Sequence, residues 1–376
     1  MNSSPDSDPD NPALRGEVVY FYAFDVAYDM QRAPLSSLLG RALEPFQMDA
    51  RKRMPRGQVF YKPLVARLPE VQQQVRGRAV TLRAAVKVLS IGALSVTVRA
   101  PLAAGSPGEC LAWHDLAFDD GTTLEQWVLA MVEKARVELA AHAIRPHERL
   151  PEAEFYTVFC LDSGSPGIGA ESAPWLEANR PAVAALLTGE TDPGLLSAQE
   201  IAESTSRWLS YYRHDLMVAD WDAALVIDRP ADFEETLYVM ELANVQLEEL
   251  EAYDALIDDA LERAYRDLSV SGRKRRAQVL RDLQEVRMDL ARFSDELSNI
   301  TKFFGEWHLA RVYETVARIF HLADWHRAID EKLRTLDGLY DTLKQDQNHR
   351  VMVWLEAAIV VMFIIDLVMI FMGLAK

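Results

Sequence analysis

Cysteine is scarce in this chain, and an apolar N-terminal segment is missing. Only Cys110 and Cys160 occur among 376 residues, which excludes a disulfide-rich framework and a cysteine metal motif and fits a reducing compartment. Residues 1–15 contain acidic side chains and no apolar run, so they resemble neither a secretory signal peptide nor an arginine-rich transit peptide. We expect them to form a short disordered leader.

Positive charge is also in deficit. The chain carries 40 Lys and Arg residues against 57 Asp and Glu residues, which gives a formal net charge of −17. Such a surface repels phosphate backbones, so general nucleic-acid binding is not expected. With 49% hydrophobic and 26% charged residues the composition is otherwise that of a globular protein, and the length suggests two folded regions.

Recognisable catalytic motifs are missing as well. The sequence contains no nucleophile elbow, no H-E-x-x-H and no paired C-x-x-C pattern, and the adjacent pairs His114-Asp115 and His214-Asp215 would point apart in strands. Three histidines of the C-terminal region invite a metal interpretation: His308, His321 and His326. The last two are five residues apart and do not share a helix face, so we predict no metal, no cofactor and no catalytic residue.

From residue 16 to about 230 the spacing of apolar residues is mixed. Alternating or continuous apolar runs predict strands at residues 18–24, 79–89, 93–98, 155–161, 211–218 and 223–227. Three- and four-residue spacing predicts helices at residues 124–141, 175–187 and 197–203. The fold class expected for residues 16–230 is therefore α+β, with a mixed or antiparallel sheet.

A glycine-rich loop follows the predicted strand 155–161 and precedes a helix. Gly164, Gly167 and Gly169 form the string GSPGIG, in which glycine would let the backbone approach a phosphate group. The order is not that of a dinucleotide-binding fingerprint and no P-loop lysine is present, so an ordinary surface loop is the main interpretation. If the domain binds a ligand instead, the loop and the nearby acids Asp25 and Asp162 are the expected place.

Helical spacing dominates residues 231–349, which we interpret as a helical stalk. Between residues 279 and 304 apolar residues recur in alternating steps of four and three, a heptad seam that requires a facing helix. The seam consists of Val279, Leu283, Val286, Leu290, Phe293, Leu297, Ile300 and Phe304. Matching apolar stripes elsewhere in this region predict a helical hairpin or bundle within one chain, or coiled-coil pairing between subunits of a homo-oligomer.

The last part of the sequence, residues 351–374, is an almost unbroken run of apolar residues. About 20 such residues cross the apolar part of a bilayer as a helix, so we predict that residues 350–376 form a single-pass C-terminal transmembrane anchor. The alternative is the core helix of a soluble fold. Lys344, His349 and Arg350 precede the segment and one lysine follows it, which favours an orientation with the bulk of the chain in the cytoplasm. Because the N-terminus resembles neither a signal nor a transit peptide, we expect the membrane to be the bacterial inner membrane.

Several charged residues of the helical region are candidates for contact. Glu356 and Asp366 lie within the apolar segment, where a carboxylate costs about 2.5–3.5 kcal/mol. They are either tolerated polar residues or points of intramembrane contact between helices. Four basic residues before the seam are either a solvated helix start or a surface that contacts anionic lipid headgroups. They are Arg273, Lys274, Arg275 and Arg276.

Four strings resemble the family named for "required for meiotic nuclear division", a membrane-anchored domain of unknown function found from bacteria to mitochondria. They are FYAFDVAYDM at 21–30, ADWDAALVID at 219–228, MELANVQLEELEAYD at 240–254, and a tail that begins with GEWHLARVYETVARIF at 305–320 and runs to residue 366. The resemblance implies membrane anchoring, self-association and, in mitochondrial relatives, support of translation near the ribosome. It implies no catalytic residue, and Glu356 matches the acid at the start of the family's span.

These features favour a membrane-tethered, self-associating scaffold or adaptor that displays a cytosolic domain to an unidentified protein partner. The missing transit peptide argues against a mitochondrial role for this chain. The alternative hypothesis is a membrane-recruited enzyme, or a sensor of a ligand or nucleotide, that uses the α+β domain.

Overall fold

Alternating apolar residues produce the strands of the N-terminal region. The computed structural model describes residues 13–30, 35–47, 63–147, 150, 153–269, 281 and 307–371. Its strands are β1 (Leu14–Asp25), β2 (Ala27–Met30), β3 (Ser37–Leu38), β4 (Arg41–Ala42), β5 (Glu44–Pro45), β6 (Leu64–Arg67), β7 (Val71–Val75), β8 (Arg78–Val88), β9 (Ala93–Ala104), β10 (Ala143–Pro146), β11 (Glu154–Asp162), β12 (Trp208–Leu209), β13 (Leu216–Ala219) and β14 (Ala223–Asp228).

Helices separate some of these strands and form the C-terminal region. They are α1 (Pro107–Cys110), α2 (Leu124–Leu139), α3 (Ser172–Thr188), α4 (Ala198–Ser204), α5 (Phe233–Ser269), α6 (Trp307–Ile319) and α7 (Leu322–Phe371). Short 3-10 helices occur at Leu111–Trp113, Pro193–Leu195 and Pro230–Asp232. The predicted α+β fold class, with a large N-terminal sheet and C-terminal helices, is confirmed.

One large mixed sheet organises the N-terminal region. Its strand order is β12-β13-β14-β11-β1-β9-β8-β6-β5, and β7 pairs with β8 beside this path. The pair β11–β14 is parallel, and the other printed pairs of this sheet are antiparallel. The long strand β1 lies at the centre between β9 and β11, so its side chains reach both faces of the sheet.

Both faces of the central strand are covered by helices. On one face Tyr22 and its neighbours two residues apart join the main apolar core with residues of α2 and α3. On the other face Ala23 packs in a small apolar cluster with Val245 of α5. Tyr156 of β11 also lies on this second face and meets Phe320 edge-to-face, with 5.0 Å between ring centroids. The strands between these layers are therefore buried on both sides.

One predicted strand begins later than the sequence indicated. The apolar residues 211–218 predicted a continuous strand, but β13 starts at Leu216. The Asp215 carboxylate accepts the backbone N–H of Tyr211 at 2.6 Å and closes a turn before it. This part of the prediction is wrong because a short acidic side chain can satisfy a backbone donor locally and so compete with strand pairing.

The chain divides into two compact units. Unit 1 comprises Met1–Ala252 and Ser298–Ala323, and unit 2 comprises Tyr253–Leu297 and Asp324–Lys376. Within unit 2, Lys332 of α7 lies 2.7 Å from a carboxylate oxygen of each of two α5 residues, Asp254 and Asp258. The predicted seam from Leu283 to Ile300 lies outside the described residues, and the predicted boundaries at residues 230 and 350 stay predictions.

The last described helix ends in an apolar segment. Within α7, Met352–Ile370 is 19 residues long and is the one stretch of the described residues that is long and apolar enough to cross a membrane. None of these residues is buried, and Trp354 is 72% exposed. A core helix of a soluble protein would be buried, so the exposure argues against that alternative.

Candidate functional site

A cavity of about 290 Å³ lies on one face of the sheet, beside the start of α2. Its floor is formed by β1 and β11, which pair antiparallel with Tyr20 opposite Thr157 and Tyr22 opposite Phe155. Opposite residues, and residues two apart on one strand, share a face of the sheet. These four side chains therefore point into the same space, and three of them are aromatic.

The roof of the cavity is the segment that leads into α2. An isolated β-bridge pairs Ala117 with Thr123 and closes this segment into a loop. Thr123 then caps the helix, because its hydroxyl accepts the N–H of Gln126 at 3.1 Å while the Gln126 side chain accepts the N–H of Thr123 at 3.2 Å. This capping box fixes the helix start and places Glu125, in the first turn, at the cavity wall.

Two carboxylates give the cavity its charge. Asp115 lies in the roof and Glu125 in the wall, and none of the described lining residues is Lys or Arg. Burial, and then the charges of Glu125 and Asp115, raise the pKa of Tyr22 above its usual value. Burial likewise raises the pKa of Tyr20, whose hydroxyl donates to the carbonyl of Trp113. The cavity therefore combines neutral aromatic side chains with negative charge.

The roof also contains a histidine. The ring centroid of His114 lies 6.0 Å from that of Phe159, and its Nε2 atom is buried and has no hydrogen-bond partner among the described groups. In strands His114 and Asp115 would have pointed apart, but both follow the 3-10 helix Leu111–Trp113 and line the cavity. The strand assumption is wrong here, since the helical turn brings adjacent side chains to one space.

Comparison with known proteins assigns the N-terminal region of the chain to a family. The family described as "Uncharacterized protein MJ0711, N-terminal domain" matches residues 15–234. The chain belongs to this family. "Uncharacterized protein MJ0711" from Methanocaldococcus jannaschii is 22% identical over 217 residues, which are 57% of this chain and 65% of that protein. No solved structure matches.

The match to the MJ0711 N-terminal family covers the whole of the cavity. The lining residues run from Tyr20 to Thr157, inside the matched range 15–234, whereas Met352–Ile370 lies beyond it. The family is therefore represented in this chain by the sheet and its cavity rather than by the C-terminal helix. The resemblance to the "required for meiotic nuclear division" family stays a prediction.

The glycine-rich loop of this family domain is closed by its own hydrogen bonds. The N–H of Gly164 donates to the Asp162 carboxylate at 2.9 Å, and the N–H of Gly167 donates to the carbonyl of Ala13 at 2.8 Å. A Cβ atom at Gly167 would lie 2.9 Å from that carbonyl oxygen. Glycine is thus needed for packing against the chain's own backbone, which favours the interpretation as an ordinary loop.

The two acids predicted near this loop lie at opposite ends of the sheet. Gly16 pairs with Leu161 beside Asp162, whereas Asp25 ends the same strand nine residues further on, about 30 Å away at the rise of a strand. The predicted grouping of Asp25 with the loop is wrong, because β1 and β11 run antiparallel and their ends diverge.

Asp25 lies instead beside the buried Glu248 of α5 and the half-buried Glu154 of β11. The carboxylate of Glu248 accepts the N–H of Asp25 at 2.9 Å and the N–H of Glu154 at 3.2 Å. Burial raises the pKa of Glu248 to about 8 and, together with the charge of Glu251, the pKa of Glu154 to about 8. His147 Nε2 lies 2.9 Å from the Asp25 carboxylate, and this bond raises its pKa. No periodic pattern of apolar residues predicts this cluster.

A second concavity, of about 450 Å³, is lined by four basic residues. They are Arg67, Arg83, Lys87 and Arg99. Ion pairs engage three of them: Arg83 and Arg99 contact Glu17 at 2.8 and 3.1 Å, and Lys87 contacts Glu241. The pairs with Glu17 connect strands of the sheet, whereas Lys87 connects the sheet to α5. The groove therefore offers little free positive charge.

The remaining predicted residues are not brought together into a site. Among the described residues, no group of three or more His, Cys, Asp or Glu side chains is placed to hold a metal ion, so the absence of a metal stays a prediction. Glu356 and Asp366 both lie in the exposed segment of α7. The basic residues from Arg273 to Arg276 lie outside the described part of the chain.

Proposed function

We propose that this protein is a non-catalytic, membrane-tethered scaffold or adaptor that displays its α+β unit on a helical stalk. The observation that carries the proposal is that none of the apolar residues of Met352–Ile370 is buried. Burying one large apolar side chain stabilises a protein by about 1.5–3 kcal/mol, and this segment buries none of them in the chain. We infer that an apolar environment outside the chain covers this segment.

A bilayer fits this segment by length. Nineteen helical residues extend about 28 Å, close to the hydrocarbon thickness of about 30 Å. The excess of basic residues before the segment, Lys344, His349 and Arg350, supports an orientation with the bulk of the chain in the cytoplasm, and we propose the bacterial inner membrane as the location. The resemblance to a membrane-anchored family supports the same proposal.

Self-association is the second part of the proposal. The heptad seam from Leu283 to Ile300 supports helix pairing between subunits, and intramembrane contact through Glu356 and Asp366 would offset the cost of carboxylates in a bilayer. The four basic residues from Arg273 to Arg276 would contact anionic headgroups or a protein partner.

The experiment compares the full chain with a variant that ends at residue 349. Both are crosslinked in native membranes and recovered by affinity purification. We expect the full chain in the carbonate-resistant membrane fraction with a stoichiometric partner, and the shortened variant in the soluble fraction without it. Equal membrane retention of both variants would exclude the tether, and recovery of the full chain alone would exclude the adaptor role.

Self-association is tested separately with seam variants. Leu290→Asp and Phe293→Asp place a charge in the predicted seam, and Ser294→Asp places the same charge beside it. We expect the two seam variants to lower the oligomer mass measured by light scattering in detergent, and the control to retain it. Unchanged mass in all three variants would contradict pairing through the seam.

The second candidate function is a membrane-recruited ligand sensor. The aromatic, negatively charged cavity over β1 and β11 favours it, because concave apolar sites with a few polar groups are where small molecules bind. The glycine-rich loop supports it less, since the N–H groups of Gly164 and Gly167 are occupied within the chain.

A further inference from the structure

We propose that the cavity formed by β1, β11 and the start of α2 binds a small organic ammonium ion. The exposed ring of Phe155 would hold the cation against its face, and Asp115 and Glu125 would neutralise it. This inference does not depend on the membrane tether, because every lining residue belongs to unit 1.

The first support is the exposed ring of Phe155, since Tyr20 and Tyr22 beside it are buried. Tyr22 and Phe155 lie side by side on the floor, with ring centroids 6.4 Å apart and planes inclined by 31°. Phe155 is 51% exposed although it belongs to a strand whose next residues are buried. Ring faces carry partial negative charge and attract ammonium groups that lie within about 6 Å of a centroid. The open ring of Phe155 is therefore a surface that a cationic ligand would cover.

The second support is the charge of the lining. Asp115 and Glu125 are the carboxylates of the cavity, and none of the described lining residues offers a Lys or Arg partner. Their field reaches the floor, since it adds to burial in raising the pKa of Tyr22. In the basic groove, by contrast, Arg83 and Arg99 are paired with Glu17. The charges of the groove are thus neutralised by ion pairs within the chain, whereas the carboxylates of the cavity have no Lys or Arg among the described lining residues. A cationic ligand would supply the missing positive charge.

The third support is size. A cavity of about 290 Å³ is at the lower limit of ligand sites, which usually measure about 300–1,000 Å³. That volume suits a compact amine and is too small for a dinucleotide. A nucleotide phosphate would also be repelled by Asp115 and Glu125. The ligand class is therefore a small ammonium ion, either free or as the headgroup of a lipid.

The experiment is isothermal titration of the full chain, solubilised in a maltoside detergent that has no choline group. The probes are choline, tetramethylammonium and 3,3-dimethyl-1-butanol, which has the shape of choline without its charge. We expect both cations to bind and the neutral isostere to bind at least about 10-fold more weakly. Equal binding of choline and the isostere, or no saturable binding up to about 10 mM, would overturn the proposal.

Matched variants locate the binding in this cavity. Phe155→Leu removes a ring face and should weaken choline binding at least about 5-fold, whereas Phe155→Tyr keeps the face and should bind normally. Glu125→Gln should weaken binding, and Glu200→Gln, in the first turn of α4, should not. Melting temperatures equal to that of the wild type confirm folding. Unchanged affinity in both Phe155→Leu and Glu125→Gln would place the binding elsewhere and refute the site.

A final arm distinguishes the two sources of the ammonium group. The same titration is repeated in nanodiscs of phosphatidylcholine and of phosphatidylglycerol. Weaker choline binding in phosphatidylcholine indicates that the lipid headgroup occupies the cavity, and equal binding in both indicates a free ammonium ligand.

Discussion

Two stretches of long helix in this protein reverse the usual relation between polarity and burial. In the first part of α5, polar and charged residues such as Glu241, Asn244 and Glu248 are at most 5% exposed. In Met352–Ile370 of α7, nearly every residue is apolar and none is buried. If water were the only solvent, hydrophobicity alone would have predicted an exposed first part of α5 and a buried end of α7, which is the opposite of what the structure shows.

The polar stretch is buried because the sheet supplies partners for it. Glu241 is paired with Lys87 and accepts the hydroxyl hydrogens of Ser95 at 2.5 Å and of Thr97 at 3.4 Å. Asn244 donates its side-chain amide to the backbone carbonyl of Glu154 at 3.3 Å. Buried polar groups are tolerated when they are hydrogen-bonded, and here each bond connects α5 to a strand.

Within the described part of the chain, the apolar stretch is not covered by other residues. It requires no hydrogen-bonding partners if it lies in the hydrocarbon interior of a bilayer. A helix satisfies its own backbone groups, which is why it can lie in a bilayer. The first part of α5 is therefore held by specific bonds, whereas the end of α7 would be held, under the proposed membrane anchoring, by the hydrocarbon around it. The stability of the first part of α5 should therefore respond to the removal of single hydrogen-bonding atoms. The membrane insertion of the end of α7 should respond to the addition of a charge.

The largest expected effect is on the buried ion pair of α5 and β8. Lys87→Met leaves Glu241 buried without its counter-charge, because the two side chains are only 11% and 6% exposed. We expect the free energy of unfolding to fall by about 3–5 kcal/mol. Urea denaturation of the detergent-solubilised chain, followed by tryptophan fluorescence, measures the loss.

The double variant and an exposed pair serve as controls. Lys87→Met combined with Glu241→Leu removes both charges and should recover most of the lost stability. Arg83→Met breaks a pair with Glu17 in which the arginine is 57% exposed, so it should cost less than about 1 kcal/mol. Equal losses for Lys87→Met and Arg83→Met would contradict the importance of burial for the first pair.

The next effect concerns the apolar stretch. Val361→Arg places a charge at the centre of Met352–Ile370 and should raise the free energy of insertion by about 2.5–3.5 kcal/mol. Met352→Arg places the same charge at the end of the segment, where the side chain reaches the interface, and should have little effect. Carbonate extraction of membranes measures the retained fraction. Equal retention of the two variants would argue against a spanning helix.

Much of the fold follows from local sequence patterns. The hairpin β8–β9, the central strand β1 and the helix α2 were predicted because apolar periodicity and turn residues act over short distances. The order of strands did not follow, since it depends on which distant segments pair. The placement of Asp25 far from Asp162 shows this, because only the antiparallel register of β1 and β11 separates them.

The candidate cavity was less accessible to sequence reasoning. Tyr20 and Tyr22 alternate visibly on β1, but they meet Phe155 only through pairing across more than 130 residues. Asp115 joined them because a 3-10 helix and a capping box fold the intervening loop over the sheet. These contacts depend on the tertiary structure, and the local propensities of a single sequence do not predict them.

A smaller effect is expected on the pH dependence of the buried acids. The pKa of Glu248 is about 8 in the folded chain and about 4.3 in an unfolded one, so the folded state binds more protons between these values. Stability should therefore fall as pH rises across this window, by about 1–3 kcal/mol. The raised pKa of His147 acts in the same direction, because its protonated form is favoured by folding and lost as pH rises.

Thermal unfolding between pH 5 and pH 8.5 measures this dependence. Glu248→Gln should reduce the slope, since the amide is uncharged throughout, while the exposed control Glu200→Gln should leave it unchanged. A wild-type midpoint that rises with pH over this range, or an equal slope in Glu248→Gln, would contradict the burial of an acid with a raised pKa.

The smallest effects test whether single hydrogen bonds hold the polar stretch of α5. Ser95→Ala removes a bond of 2.5 Å to the Glu241 carboxylate and should cost about 1.5 kcal/mol, whereas Thr97→Val removes one of 3.4 Å and should cost less than about 0.5 kcal/mol. Both losses should vanish in a Glu241→Leu background, because the acceptor is then missing. If they persist there, the two hydroxyls stabilise the sheet itself, and the helix is held by packing rather than by these bonds.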